Sequence, residues 1–313
     1  MKIFSDTASL PSFDKAVVTI GTFDGVHLGH RQIIQQLKNE AQQIGGETVL
    51  VTFDPHPRKI VSSKPLLLLN TLAEKTELLE KQGINNLVVV PFTQAFSEQV
   101  ASAYVEDFLV SRFHPHTVII GYDHRFGKDR EGDFHLLEEY ARQHAFKLIE
   151  IPVHLVEQAA ISSTKIREAL LQGRVSDARR FLGYDYFFEG TVIEGNKLGR
   201  TIGYPTANLQ PQAADKLVPG NGVYAVYAGI RASPGVAQSS GLHKGMMNIG
   251  FRPTVEGTKK VIEVNLFDFD VDIYGKTLRV YLKEYLRVEQ KFSGLEELKG
   301  QLAQDRATAL ALL

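Results

Sequence analysis

Gly21-Thr22-Phe23-Asp24-Gly25-Val26-His27-Leu28-Gly29-His30 joins two segments of opposite character. Before it, Ala16-Val17-Val18-Thr19-Ile20 is a continuous apolar, β-branched run of the kind found in strands buried on both faces. After it, Leu28, Ile33, Ile34, Leu37, Ala41 and Ile44 recur at helical spacing. The stretch is therefore predicted to turn from the C-terminal end of a strand into the N-terminus of a helix. Open α/β sheets bind ligands at that edge, and a helix start offers unpaired N–H groups with a partial positive charge. Gly29 lets an anion approach the backbone, and His27 and His30 share one face of the first helical turn. Two imidazoles there suit a transition state that gathers negative charge, such as attack on the α-phosphorus of a nucleoside triphosphate with loss of pyrophosphate. A plain helix start that happens to contain two histidines is the alternative for an isolated H-x-G-H.

The pattern repeats downstream. Residues 47–53 read as a second buried strand running into Asp54-Pro55-His56-Pro57-Arg58. Its two prolines are expected to keep that loop extended and stiff. His56 and Arg58 then either line the ligand edge or decorate a surface turn. Thr71-Leu72-Ala73-Glu74 has capping-box spacing and predicts a helix to about residue 81, followed by a strand at 86–91. A helical stretch within 92–113 and strands at 117–121 and 146–151 continue the alternation. Residues 121–133, with three glycines and dense charge including Asp123, form a candidate ligand-closing loop at a strand end. Ser162-Ser163-Thr164 begins a further helix whose next residues include Lys165 and Arg167, a second N-terminal anion nest. Alternating β and α elements predict an α/β fold with a doubly wound, Rossmann-like parallel sheet and right-handed crossovers.

Residues 175–182 close this module with a helix, and Gly183-Tyr184-Asp185 marks the expected boundary between domains 1–184 and 185–313. The period then becomes alternating. Candidate strands at 187–193, 222–230, 245–249, 259–269 and 277–285 predict a C-terminal antiparallel β-barrel. A Ser- and Gly-rich hairpin tip is expected at 233–241, and an amphipathic helix from 295 to about 305. Gly195, Gly199 and Gly203 let backbone amides wrap phosphates, and Thr206 and Asn208 present oxygen ligands on one face of an extended segment. Such ligands beside phosphates suit Mg²⁺, although a glycine-rich hairpin explains the run equally well when it is taken alone. Ile262, Val264 and Leu266 alternate onto one strand face and leave Glu263 and Asn265 on the other. A mid-strand carboxylate is placed to act as general base for a primary alcohol during γ-phosphoryl transfer, or it lies on a polar outer face.

Composition narrows the classes. Among 313 residues, Lys+Arg 35 against Asp+Glu 36 gives a net charge of -1, without the basic field of a general nucleic-acid binder. With no cysteine there are no disulfides, thiolate metal sites or cysteine nucleophiles. Residues 65–69 form the longest aliphatic run, far too short to span a bilayer, and the first residues lack an apolar signal core. The expectation is a cytoplasmic protein with small-molecule partners and neither nucleic acid nor membrane among them.

Gly21 to His30, Phe53-Asp54-Pro55-His56-Pro57, Gly121-x-Asp123-x-Arg125-Phe126-Gly127 and Ile161-Ser162-Ser163-Thr164-Lys165-Ile166-Arg167 together resemble the FMN adenylyltransferase module of prokaryotic bifunctional riboflavin kinase/FAD synthetases. The second half is similar to the riboflavin kinase module of the same family. It carries Gly199-x-x-x-Gly203-x-Pro205-Thr206-Ala207-Asn208, Gly222-Val223-Tyr224, Asn248-Ile249-Gly250-x-Arg252-Pro253-Thr254, Glu263-Val264-x-Leu266-Phe267-Asp268-Phe269 and Asp270-x-Asp272-x-Tyr274-Gly275. The resemblance implies two ATP-dependent steps, riboflavin to FMN and FMN to FAD, both using a divalent cation. It implies that His27, His30 and Arg167 contact ATP phosphates, with Gly21, Phe23, Gly29, Ser163 and Thr164 around them and Asp123 at the nucleotide or flavin. In the second module it implies that Thr206 and Asn208 hold Mg-ATP beside Gly199 and Gly203, and that Glu263 is the base. His56, Arg58 and Arg287 are the candidate flavin contacts. His124 stands where the family usually has an aromatic residue, and Asn265 where it usually has a histidine. Two further readings of the motifs are a class I aminoacyl-tRNA-synthetase-like adenylating enzyme, for which no Lys-Met-Ser-Lys-Ser-like loop is present, and a flavin sensor without turnover.

Overall fold

Residues 1–151, 161–195, 198–231, 241–254 and 257–313 are described by the computed structural model. By packing they form two units, Met1–Leu66 with Glu74–Ser162, and Leu67–Ala73 with Ser163–Leu313.

The first unit is built on β2 (Val17–Ile20), whose four residues are all buried. It pairs in parallel with β3 (Thr48–Asp54) and β5 (Thr117–Gly121), Val17 facing Thr48 on one side and Thr117 on the other. With β1 (Lys2–Phe4), β4 (Asn86–Pro91) and β6 (Lys147–Ile151) the described sheet has six parallel strands in the order β1-β4-β3-β2-β5-β6. After β2 the chain builds toward β3 and β4, then returns to place β5 on the other side of β2. The order thus reverses between β2 and β5, which puts a ligand crevice at their C-terminal ends. The doubly wound sheet agrees with the sequence reading; the short edge strand β1 was not expected, because three residues, two of them exposed, carry no readable alternation.

One local expectation changes. The prolines after β3 do not keep the loop extended: Pro57 starts a short helix, α2 (Pro57–Val61), capped by His56. Proline suits the first helical position, where its missing N–H has no intrahelical partner to lose. After α3 (Leu72–Glu80), the helical stretch expected within 92–113 is present, broken into short pieces. It comprises α4 (Gln94–Ser97), α5 (Ala101–Ala103), a π-helical segment (Tyr104–Val110) and α6 (Ser111–Phe113). The wider π turn brings residues five apart together: Phe108 meets Phe113 edge-to-face at 5.5 Å, and Ser111 Oγ donates to the Glu106 carbonyl at 2.6 Å. α7 (Phe134–Gln143) then follows, capped by Asp133, whose carboxylate accepts from Leu136 N at 3.2 Å.

In the second unit, α8 (Ser163–Leu171) and α9 (Val175–Leu182) accompany the barrel strands: Gly220 N donates to the Leu170 carbonyl at 3.0 Å, and Ser176 Oγ donates to Glu284 at 2.9 Å. β7 (Phe187–Ile193), β8 (Ala207–Pro211), β9 (Gly222–Arg231), β10 (His243–Thr254), β11 (Gly257–Leu266) and β12 (Thr277–Arg287) close in the order β10-β11-β8-β7-β12-β9. The barrel is the expected one, but β8 was not among the candidate strands. It sits between β11 and β7, pairing Asn208 with Glu263 and Leu209 with Val192, and so completes the closure. The hairpin tip expected at 233–241 lies mostly outside the described residues. The last helix, here α11 because a short α10 (Leu198–Thr201) precedes it, runs from Leu295 to Leu312, well past the expected end at Asp305. Asp305 is buried and paired, and Ala309 packs with Ala225, Met246 and Phe267. Asp305, at the expected end, is an anchor within the helix.

Candidate active sites

At the crevice of the first unit, β2 ends in a turn whose backbone is strained. Phe23 (φ 47°), Gly25 (φ 87°) and Val26 (φ 36°) all have positive φ, a conformation rare for a β-branched valine. Burial of both apolar side chains and the bonds Gly21 N to Val51 O (3.0 Å) and Val26 N to Phe23 O (3.1 Å) hold it. α1 (Leu28–Ile44) starts directly behind, with His27 as its cap: Nδ1 accepts from the His30 backbone N–H at 3.4 Å. The two imidazoles stack at 3.7 Å between centroids and 15° between planes, and Phe23 lies 5.1 Å from the His30 ring. Burial, then the neighbouring His27 and Lys75, hold the His30 pKa well below its ordinary value, so its imidazole is neutral at neutral pH. His30 Nδ1 is buried without a hydrogen-bond partner among the described residues. A neutral imidazole with a spare nitrogen, beside the free N–H groups of a helix start, is chemically suited to bind an anion without a fixed positive charge of its own.

The other expected residues of this site reach the same sheet edge from β3 and β5. His56 is buried, and its Nδ1 accepts from Arg58 N at 3.1 Å; Arg58 itself is exposed. Asp123 follows Gly121 at the end of β5, in a loop that a Phe126–Gly132 bridge closes and an Arg125–Asp133 ion pair (3.1 Å) braces. Burial lowers the His124 pKa to about 4. Ser163, Thr164 and Arg167 belong to the second unit, where Arg167 Nε donates to the Leu67 carbonyl at 2.7 Å.

Sequence reading missed Lys75 and Asp24. Asp24 is buried inside the turn. Lys75, on α3, is 6% exposed and donates Nζ to the Thr22 carbonyl at 2.8 Å and to Thr52 Oγ1 at 3.3 Å. Lys75, Leu78 and Leu79 share the i, i+3, i+4 stripe that packs inward, so a lysine in an otherwise apolar stripe was the available signal.

The second unit holds a cavity of about 270 Å³. Thr206, Asn248, Glu263 and Asn265 line it from the barrel; Phe292, Leu298 and Leu302 line it from the terminal segment. Register explains the gathering: Glu263 lies opposite Asn248 on β10 and opposite Asn208 on β8. Its side chain is 19% exposed, while Ile262, Val264 and Leu266 are buried on the other face. Glu263 and Asn265 therefore face a cavity rather than open solvent. Arg252 holds Glu263 Oε2 at 2.8 Å; alternation along β10 puts Arg252 on the face of Asn248, a signal that was present but unused. Asn265 is buried and donates Nδ2 to the Pro205 carbonyl at 2.7 Å, tying β11 to the segment that carries Thr206.

The glycines of this segment have distinct tasks. Gly203 (φ 84°) ends the short α10 in the left-handed region, and a side chain on Gly195 would occupy the space of the Asn208 amide. Thr206 and Asn208 supply only hard oxygen donors, and no group of three or more His, Cys, Asp or Glu among the described residues is arranged to hold a metal alone. That donor set fits Mg²⁺ shared with a polyphosphate better than a resident metal. Arg287 lines the cavity while its guanidinium is held by Asp305, with Nε–Oδ1 at 2.9 Å and Nη2–Oδ2 at 2.7 Å, and by the Val288 carbonyl at 2.9 Å.

Residues 10–165 match a family model for FAD synthetase, and residues 182–313 match one for riboflavin kinase. The chain is 39% identical over 292 residues to a bifunctional riboflavin kinase/FMN adenylyltransferase of Listeria monocytogenes, covering 92% of this chain and 90% of that protein. It is 37% identical over 297 residues to the protein of the same description from Escherichia coli K12, covering 94% and 91%. A crystal structure from Streptococcus pneumoniae, titled as a macrolide-efflux protein, superposes with a TM-score of 0.85 at 30% identity, covering 98% of this chain and 97% of that one. Among the described residues of this chain, no helix is long and apolar enough to cross a membrane.

Proposed function

The chain belongs to the family of bifunctional riboflavin kinase/FMN adenylyltransferases, and from that membership and its two sites we infer that it makes FAD from riboflavin in two ATP-dependent steps. The observation that carries the reading is Glu263: a carboxylate in mid-strand on a cavity wall, between two asparagines on its neighbouring strands.

In the barrel, Glu263 takes the proton of the riboflavin 5′-hydroxyl as its oxygen bonds to the γ-phosphorus of ATP and the β–γ bridging bond breaks. The products are FMN and ADP. Arg252 holds one carboxylate oxygen and leaves the other for the hydroxyl. Thr206 and Asn208 would hold Mg²⁺ together with the ATP phosphates, where the ion would supply neutralisation of phosphate charge. Gly199 and Gly203 give the phosphates room against the backbone, and Arg287 with the terminal segment borders the flavin.

In the parallel-sheet unit, an FMN phosphate oxygen attacks the α-phosphorus of a second ATP, and pyrophosphate leaves. His27 Nδ1 already accepts a bond, so its donor is Nε2–H; neutral His30 provides a further donor. Charge developing on the α-phosphate is met by these N–H groups and the amides at the α1 start. Ser163, Thr164 and Arg167 take the phosphate contacts that their motif implies, and Asp123, His56 and Arg58 border the nucleotide or flavin. The domain boundary after Tyr184 and a cytoplasmic location are part of the same proposal.

The test is a product assay. Purified protein with riboflavin, ATP and Mg²⁺ is expected to yield FMN and then FAD on chromatography, and excess EDTA to stop both. Absence of both flavin nucleotides with Mg²⁺ present overturns the reading.

A further inference from the structure

The strained turn at the first site is held from beneath by a group that no motif marked. Lys75 comes from α3, far along the chain, and its ammonium reaches the Thr22 carbonyl at 2.8 Å. Thr52 Oγ1, at the end of β3, donates to the same carbonyl at 3.1 Å and accepts from Lys75 at 3.3 Å. Two elements thus converge on one peptide oxygen, immediately before the residues of positive φ. Backbone held in sparsely populated regions costs of order 1–3 kcal/mol per residue and persists only where its surroundings over-determine it. A buried ammonium is itself costly, and an apolar side chain of similar length would fill the space at least as favourably. Asp24 and Asp54 bear on the ammonium and offset part of that cost, and what its position does is hold the Thr22 carbonyl.

We propose that Lys75 is a positioning residue of the adenylyl-transfer site, pinning the Thr22 carbonyl so that the turn presents His27 and His30 to the triphosphate and setting positive potential beneath it. The proposal rests on the reading of that site given above. Its electrostatic half has a second observable. The charges that bear on Lys75 are Asp24 and Asp54, and Lys75 with His27 bears on His30, where both oppose protonation. Burial contributes most to the low His30 pKa, so removing Lys75 releases part of the depression, not all of it.

The experiment compares wild type, K75M and K75R for FAD formation from supplied FMN, riboflavin phosphorylation by the same preparations, and His30 titration by imidazole NMR. Wild type that forms no FAD overturns the site reading, a result separate from the fate of the lysine. With an active wild type, K75M is expected to lose about 100-fold in kcat for adenylylation, as misplacement of a catalytic constellation by roughly 1 Å costs. KM for ATP changes less, riboflavin phosphorylation is unchanged, and His30 titrates at higher pH. K75R, which keeps the charge, is expected to keep His30 at its low pKa while recovering part of kcat. Wild-type adenylylation by K75M overturns the proposal, and so does a loss of kcat in folded K75M with no movement of His30. Should K75M fail to fold, T52V removes only the hydroxyl shared with Thr22 and Lys75; it is expected to lose about tenfold in adenylylation kcat, and wild-type kcat in T52V overturns the proposal.

Discussion

Asn265 Nδ2 donates to the Pro205 carbonyl at 2.7 Å, so the residue two positions along β11 from Glu263 fastens the segment that carries Thr206 and Asn208. Glu263 and the segment of Thr206 and Asn208 are thereby set in one frame. A histidine at this position, the residue expected from the family pattern, can donate one ring N–H to the same carbonyl, so the substitution is compatible with the same task.

Removing that bond loosens the segment that carries Thr206 and Asn208. N265A is expected to raise KM for ATP in riboflavin phosphorylation several-fold, in keeping with about 0.5–1.5 kcal/mol for the loss of one hydrogen bond. N265H should retain most of the affinity. Steady-state kinetics with varied ATP check both.

E263Q keeps shape and removes proton acceptance. Riboflavin phosphorylation is expected to fall by about 100-fold or more in kcat, the usual weight of general-base catalysis, while adenylylation of supplied FMN stays at the wild-type rate. Equal loss of both activities would count against separate sites.

His30 and His124 are both held neutral by burial, His30 well below 6.5 and His124 at about 4. A depressed pKa means that the unfolded chain binds more protons below the unfolded value. Stability is therefore whole above about pH 6.5 and declines as pH falls toward the folded values. For His124 the window is 6.5 down to about 4. H124N is expected to be less acid-sensitive than wild type, seen as a smaller drop in Tm between pH 7 and pH 4.5.

The Arg287–Asp305 pair docks the terminal helix, and Asp305 is 3% exposed. D305A leaves the guanidinium without its bidentate partner, an expected cost of about 3 kcal/mol. Urea unfolding measures the loss, and faster proteolysis within 295–312 locates it. Since Phe292, Leu298 and Leu302 line the cavity, KM for riboflavin should rise as well.

Much of this protein was readable before any coordinates. The parallel sheet followed from buried β-branched runs alternating with helical stripes, and the change to alternating strands marked the barrel, because periods of 3.6 and 2 residues are local properties. His27, His30, Thr206, Asn208 and Glu263 stood out because each sits in a short motif whose chemistry is local too. The misreadings share a cause. The last helix was expected to end near 305, and the β8 strand was not expected, because partners distant in sequence, Arg287 for Asp305 and Glu263 for Asn208, decide both.

The sequence alone thus determined the two fold types and the two chemistries of the family to which the chain belongs. Only the tertiary structure decided what supports them. Closure of the barrel through β8 sets Asn208 against Glu263, and Asn265 reaches Pro205 across strands. Lys75 travels from α3 to the Thr22 carbonyl. Such pairings depend on strand register and long-range packing, which no local period of the chain encodes.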